Sequence, residues 1–468
     1  MTKTSYKQNS FINLLMQAVR GDVKDFTSGG IDRAIFLLAV PMVLEMLLES
    51  LFAVVDIYFV NQVGTAATST VILTEASLTI LYSVAWGMSM GVTAMVARRA
   101  GEKNFEAASA VAAQAIIMAT FFSVIISIIG YFFPQEILGF MGASKEVVKE
   151  NYLFTQIMLT GNIVIMLLFV NNAIFRGTGD ASIAMRTLFI ANAINIVLDP
   201  LLIKGIGPFP KMGVMGAAVA TTIGRSCGVL YQMYHLFDGK SLVKLVRKHF
   251  VVNFSMMRNI LDTSAGGMFQ FLIGSCSWIF LARIIAEFGD ATTAGYGTAI
   301  RICIFTILPA WGLANAAATL VGQNLGAGQP DRAEKSVWRT AFLALCFFAV
   351  VALVFFFFGE GLMRFFTQDE EAIRSGTLCL HILAMGYIFF AYGMIISQAF
   401  NGAGDTKTPT YINLFVFWLV QIPLAYFLAK YLKWGPKGVY VAIGISESLL
   451  AVVCIILFKK GRWKLVKL

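Results

Sequence analysis

Residues 175–180 read Phe-Arg-Gly-Thr-Gly-Asp, and residues 400–405 read Phe-Asn-Gly-Ala-Gly-Asp. The separation of 225 between them also carries Trp86-Gly87 onto Trp311-Gly312 and Gly101 onto Gly326. It carries Gly64 onto Gly289 and Gly213-Val214 onto Gly438-Val439 as well. One register across five separated landmarks marks an internal duplication. Composition states the solvent of each copy. Of 468 residues 58% are hydrophobic and 13% charged, where a soluble domain has roughly 45–50% and about 25%. Too little polar side chain remains to cover a soluble surface, so the chain must use lipid as solvent. Forty Phe and 41 Gly against ten Pro suit helical spans with small-residue contacts, not the alternating strands of a barrel.

A span needs about 20 apolar residues. Twelve windows qualify: 35–60, 71–97, 110–132, 152–174, 183–205, 213–236, 264–287, 293–321, 338–358, 377–399, 409–431 and 438–458. Six spans per copy is an even number, so both copies share one orientation. The expected fold is an all-α polytopic membrane protein of twelve helices in two six-helix lobes, a parallel repeat with the pathway between the lobes. The segments are an arm (1–34), an N-lobe (35–237), a linker (238–258), a C-lobe (259–459) and a basic tail (460–468). The polar first 30 residues hold no apolar stretch of signal-peptide type.

The net charge of +10 would suggest nucleic acid in a soluble chain. Here it reports topology. With a cytoplasmic N-terminus, 24 of the 36 Lys and Arg fall on the cytoplasmic side and 9 outside. The remainder, Arg225, Arg283 and Arg301, lie within spans, where they contact an anion, pair with acids or reach an interface. Both termini and the linker, with Lys240, Lys244, Arg247, Lys248 and His249, are therefore expected in the cytoplasm of a plasma (inner) membrane protein. The partners expected are lipid and a small molecule, not nucleic acid. Six Cys in apolar stretches, without paired spacing, read as buried free thiols.

Ionisable groups at membrane depth are costly and mark function. The first span carries Glu45, Glu49 and Asp56 within about 40° of one helical face. The fifth carries Asn192, Asn195 and Asp199 on one face, and the sixth brings Thr221 and Thr222 to similar depth. Two carboxylates, an amide and a hydroxyl are hard oxygen ligands for Na⁺, and a poorly solvated Asp pair also holds a shared proton. The alternative is a polar pair that locks helices one and five. Against it, Asp56 and Asp199 match Leu281 and Leu424 at the 225 offset, and a purely architectural pair has no reason to occur in one lobe only. Glu45 and Glu49 either extend this site or, for Glu45, lie solvated near the inner interface. Glu75 and Glu447 are candidates for the cavity wall, and His381 is a packing residue or a titrating group.

These residues resemble the multidrug and toxic compound extrusion (MATE) transporters. Pro309-Ala310-Trp311-Gly312-Leu313 followed by Leu320-Val321-Gly322-Gln323-Asn324-Leu325-Gly326-Ala327-Gly328 looks like that family's eighth-span signature. Phe175 to Asp180 looks like its fourth-to-fifth loop, and Asn195-Ile196-Val197-Leu198-Asp199-Pro200 like its fifth-span motif. Asp56 together with Asp199 is similar to the DinF-like branch, and the resemblance implies that Asp56, Asn195, Asp199 and Thr221 form the cation site, Na⁺ or H⁺ being the coupling ion with no other cofactor. Asn192, Glu49, Glu45 and Thr222 are possible accessories. The NorM-like branch is expected to carry acids in spans seven and ten, where this chain has Gln270 and His381.

The implied activity is a secondary active exporter of amphipathic, cationic compounds, acting as a monomer. A flippase for a lipid-linked or polysaccharide intermediate shares the architecture, but would line its cavity with basic residues. An intramembrane enzyme needs a nucleophile or metal constellation, and no HExxH occurs, the three His lying far apart in sequence; a P-loop is absent too.

Overall fold

The computed structural model describes residues 11–22 and 25–468; Lys3, Lys7 and Lys24 of the expected arm lie outside them. Among the described residues there are helices, turns and loops but no strand. Six long helices form the N-lobe: α1 (Ile31–Asn61), α2 (Thr65–Gly101), α3 (Phe105–Phe132), α4 (Lys145–Thr178), α5 (Ala181–Lys204) and α6 (Val214–Phe237). Six form the C-lobe: α7 (Phe254–Ala286), α8 (Asp290–Gly326), α9 (Pro330–Phe366), α10 (Glu370–Ala403), α11 (Lys407–Tyr431) and α12 (Pro436–Lys459). We call the face that carries the start of α1, the linker and the tail the terminal face, and the opposite one the far face.

Eleven of these helices are long and apolar enough to cross a membrane. The sixth expected span, α6, is not among them, although it runs its full 24 residues. Thr221, Arg225 and Gln232 dilute its apolarity, and all three are buried within the N-lobe. Several helices outrun their sequence windows. The 37 residues of α2 rise ~55 Å at 1.5 Å per residue, beyond the ~30 Å hydrocarbon layer, so polar ends project past the apolar stretch that marks each span. Consecutive Phe356, Phe357 and Phe358 are 60%, 70% and 66% exposed, which lipid tolerates and water does not.

The repeated motif of residues 175–180 and 400–405 is a helix stop. Gly179 and Gly404 both sit in the left-handed region at φ 88. The next amide donates back to the start of the turn, Asp180 N to Phe175 O at 2.8 Å and Asp405 N to Phe400 O at 2.9 Å. This is the Schellman arrangement, and glycine holds it without a Cβ penalty. Two features were not legible. α4 breaks at Gly161 between two helical segments. α11 contains π-helical turns, Leu414–Gln421 and Phe427–Tyr431, on either side of Pro423, which offers no backbone donor to a regular ladder.

The lobes meet through α1 against α8 and through α2 against α7 and α8. The contact follows the duplication. Trp86 and its repeat mate Trp311 touch edge to face, with ring centroids 5.3 Å apart. A Cβ on Gly101 would collide with the Gln323 carbonyl, and one on its mate Gly326 with the Arg98 carbonyl. Gly91 abuts Ser264 and Gly312 abuts Val43 in the same way. All these close approaches lie in the half of the bundle nearer the terminal face, which is sealed.

Chain segments reinforce that seal. The arm helix Phe11–Arg20 ends where Arg186 of α5 donates to the carbonyls of Val19 and Arg20 at 3.0 and 2.8 Å. Further along, Arg332 of α9 holds the Gly29 carbonyl at 2.9 Å. In the tail, Arg98 of α2 donates to Val466 O at 3.0 Å and Arg99 to Leu468 O at 2.7 Å. The linker folds along α3, where Gln114 donates to the carbonyls of His249 and Val251, both at 2.9 Å.

Candidate functional site

The far-face half of the bundle is open. A cavity of about 370 Å³ enters between the lobes there, within the range of small-molecule pockets. Its N-lobe wall is one stripe of α1, Glu49, Phe52, Ala53 and Asp56, joined by Glu75 and Tyr82 of α2 and by Thr221 and Arg225 of α6. The steps of three, four and seven along α1 place that stripe on a single helical face. The C-lobe wall is one face of α8, Arg301, Ile304, Phe305 and Leu308.

Behind the α1 stripe lies a row of polar side chains. The Asn195 amide nitrogen donates to Asp199 Oδ1 at 3.2 Å and to Thr221 Oγ1 at 3.4 Å. The Thr221 hydroxyl in turn donates to Asp56 Oδ1 at 3.4 Å. Three helices, α5, α6 and α1, thus converge on four side chains that the sequence pattern grouped. Asn195 and Asp199 are fully buried and Thr221 nearly so, while Asp56 is half-buried at the cavity. Every donor in the row points at a carboxylate or toward one. Asp199 Oδ2 and Asn195 Oδ1, both buried, have no hydrogen-bond partner among the described residues. Buried acceptors are rarely left so, and two unclaimed oxygens beside two carboxylates suit a hard cation or a proton. The donor set therefore fits Na⁺ as co-substrate, although no cluster of three His, Cys, Asp or Glu occurs among the described residues. Pro200, directly after Asp199 inside α5, cannot donate back, so the Ile196 carbonyl one turn earlier is freed from the helix ladder.

The accessory residues divide. Glu49 lies on the cavity wall and accepts from Arg225 Nη2 at 3.4 Å, the guanidinium standing 4.7 Å over the Phe52 ring. Thr222 faces away and donates to Ala218 O in its own helix at 2.8 Å; of the adjacent threonines only Thr221 joins the row. Asn192 donates to Leu48 O and Leu188 O at 3.1 and 2.8 Å, tying α1 to α5 away from the carboxylates.

Glu45 corrects the expectation of a solvated residue near the interface. It is 1% exposed and accepts from Arg176 Nη1 at 3.1 Å and from Asn172 Nδ2 at 3.0 Å. Arg176 also donates to Ser89 Oγ at 2.6 Å, so the ion pair pins α1, α2 and α4 together. The repeat explains it. At the 225 offset Glu45 matches Gln270 and Arg176 matches Asn401, and Gln270 donates to Asn401 Oδ1 at 3.0 Å in the C-lobe. The same tie is made in both lobes, charged in one and neutral in the other. Such a counterpart is the mark of architecture, and the Asp56–Asp199 row lacks it: Leu281 is 1% exposed in the C-lobe core, and Leu424 packs against the same core.

Glu447 is half-buried in α12, and His381 of α10 packs against Phe356. Arg283 is exposed on α7. Sequence reasoning missed Arg176 as the partner of Glu45, although a charge standing in one copy of the 175–180 motif and an amide in the other was a visible signal.

A family model described as MatE matches residues 41–201 and 268–427. The chain is 27% identical over 428 residues to a Thermotoga maritima protein named "Probable multidrug resistance protein NorM", covering 91% of this chain and 92% of that one. It is 26% identical over 432 residues to a Shewanella oneidensis protein named "FAD transporter", covering 91% and 94%. Among solved structures it superposes with TM-score 0.87 on one titled "Outward-facing conformation of a multidrug resistance MATE family transporter of the MOP superfamily", at 25% identity and covering 96% of this chain and 98% of that one.

Proposed function

The chain belongs to the MatE family, and from that premise we propose that it is a cation-coupled exporter of the DinF-like branch. Na⁺ or H⁺ enters the row of Asp56, Thr221, Asn195 and Asp199, and an amphipathic cationic compound leaves through the far-face cavity. The single observation that carries this reading is the row itself: a continuous hydrogen-bonded line across α1, α5 and α6, with unclaimed buried oxygens and no counterpart in the C-lobe. The basic asymmetry supports a reading with both termini in the cytoplasm of a plasma membrane, in which the described state is outward-open. The protein acts as a monomer, because each of these elements is complete in one chain.

The physics of coupling follows from what the row joins. Two carboxylates in a poorly solvated place repel while both are charged, and a bound cation or proton removes that repulsion. The change acts on the placement of α1 relative to α5 and α6. Since α1 also packs against α8 of the other lobe, a shift of α1 is felt at the inter-lobe seal. Glu49, Glu75 and Asp56 give the N-lobe wall of the cavity an acidic character that attracts cationic cargo, and Phe52, Tyr82 and Phe305 give its apolar body a surface. A flippase for a pyrophosphate-linked lipid would need the opposite balance of charge.

The test is ethidium transport by inverted membrane vesicles under imposed Na⁺ or pH gradients. Transport should follow one of the two gradients and stop when that gradient is dissipated. Ethidium movement indifferent to both gradients would refute a coupled exporter.

A further inference from the structure

Two central helices carry charges that the coupling row does not use. Glu75 lies ten residues into α2 and Arg301 eleven into α8, both about 16 Å below the far-face ends of their helices. The two helices are repeat mates, and Arg301 falls one position from the mate of Glu75. The charges therefore stand at one depth on opposite walls of the same cavity. Arg225, the other guanidinium there, is engaged with Glu49. Among the described residues neither Glu75 nor Arg301 makes an ion pair. A bare charge at this depth is expensive unless water or a ligand group meets it, and Arg301 is exposed into the cavity. Its neighbours on the α8 face, Ile304, Phe305 and Leu308, are all apolar. The cavity is thus bipolar, with carboxylates on the N-lobe wall, one unengaged guanidinium on the C-lobe wall and apolar side chains on both.

We infer that Arg301 is a specificity residue, and that it admits aromatic compounds bearing a carboxylate as well as a cationic nitrogen. The planar guanidinium takes a carboxylate through two parallel hydrogen bonds, a geometry that lysine cannot reproduce. The cationic end of the same molecule is then directed to the N-lobe wall at Glu75. A purely cationic compound meets Arg301 as a repulsive charge and uses the N-lobe wall alone. This assignment rests on the export reading and sharpens its substrate class from cationic to amphoteric.

The test compares two dyes that differ in one group, a rhodamine with a free benzoate and the methyl ester of the same dye. Binding to the purified full-length protein in nanodiscs is followed by fluorescence polarisation. The wild type should bind the acid at least as tightly as the ester. Arg301→Ala should weaken the acid about tenfold, as expected for losing one charge-assisted contact in a partly solvated site, and leave the ester within about twofold. Arg301→Lys, which keeps the charge but not the paired hydrogen bonds, should weaken the acid by less than Arg301→Ala does and leave the ester unchanged, and Arg301→Glu should reverse the preference. Arg301→Ala that binds the acid as the wild type does would overturn the assignment while leaving the export reading intact. Equal loss of both dyes in Arg301→Ala and Arg301→Lys would also overturn it, showing a packing role. If the wild type binds neither dye, the export reading falls and this assignment with it.

Discussion

Asp199→Asn separates an ion site from a structural tie. The side chain is fully buried in α5, and its Oδ1 accepts from Asn195 at 3.2 Å. An asparagine there presents a carbonyl in the same place, so the bond to Asn195 and the packing of α5 on α6 survive. What disappears is one negative charge. At ~4 Å from a bound cation, with an effective dielectric of about 20, that charge contributes about 4 kcal/mol, or roughly a thousandfold in cation affinity. Folding should not suffer, because burying one carboxylate beside another costs free energy that the amide avoids. The expected protein inserts, purifies and melts at or above the wild-type temperature. In the same vesicles it fails to couple ethidium efflux to an ion gradient. Near-normal gradient-driven efflux by correctly inserted Asp199→Asn would show that the carboxylate is architectural, and the coupling row would have to be abandoned.

Glu447→Gln in α12 should lower gradient-driven efflux by less than about twofold, because Leu281 and Leu424 stand in the C-lobe where the proposed row has its aspartates; a loss matching that of Asp199→Asn, read in the same vesicles, refutes this. Glu45→Gln and Arg176→Asn should each destabilise the protein by about 3 kcal/mol, since each strands a buried partner. The double variant, which copies the Gln270–Asn401 pair, should regain most of the loss in thermal unfolding. Gly326→Leu overpacks the sealed half by about 1–3 kcal/mol and should favour the opposite state. An Ala53→Cys reporter on the cavity wall should then react about tenfold more slowly with an impermeant thiol reagent applied to the far face. Lys240→Cys in a Cys-free background should resist that reagent in intact cells, and labelling from outside would invert the proposed topology.

The duplication was legible because a Schellman stop and a close helix crossing both require glycine, and glycine at fixed spacing leaves a record in the sequence. Six of the ten identical pairs quoted at the 225 offset are glycine, and Trp86 with Trp311 proved to be in direct contact. The grouping of Asp56, Asn195, Asp199 and Thr221 was legible because carboxylates and amides are conspicuous inside apolar helices. Ordinary packing conceals other features. The π-helical turns of α11 arise from how Pro423 is accommodated among neighbours, not from any local pattern. The burial of Glu45 depended on Arg176, 131 residues away, and periodicity along one helix cannot report a partner on another. The choice between Thr221 and Thr222 turned on 100° of helical rotation, finer than apolar windows resolve.

The meeting of Trp86 with Trp311, and of Gly101 and Gly326 with each other's surroundings, has an evolutionary reading. A residue that touches its own repeat-related copy is what a two-fold dimer looks like from inside, since in an isologous interface each patch faces itself. The present chain is such a dimer made covalent through the 238–253 connection. Joining the subunits released them from identity. While the halves were separate copies of one product, every carboxylate acquired was acquired twice, and any change in one pathway wall was imposed on the other. Once fused, one half could keep aspartates where the other took leucines, and one wall could hold acids while the facing one held an arginine. The polarity of the cavity is a property no symmetric ancestor could have had.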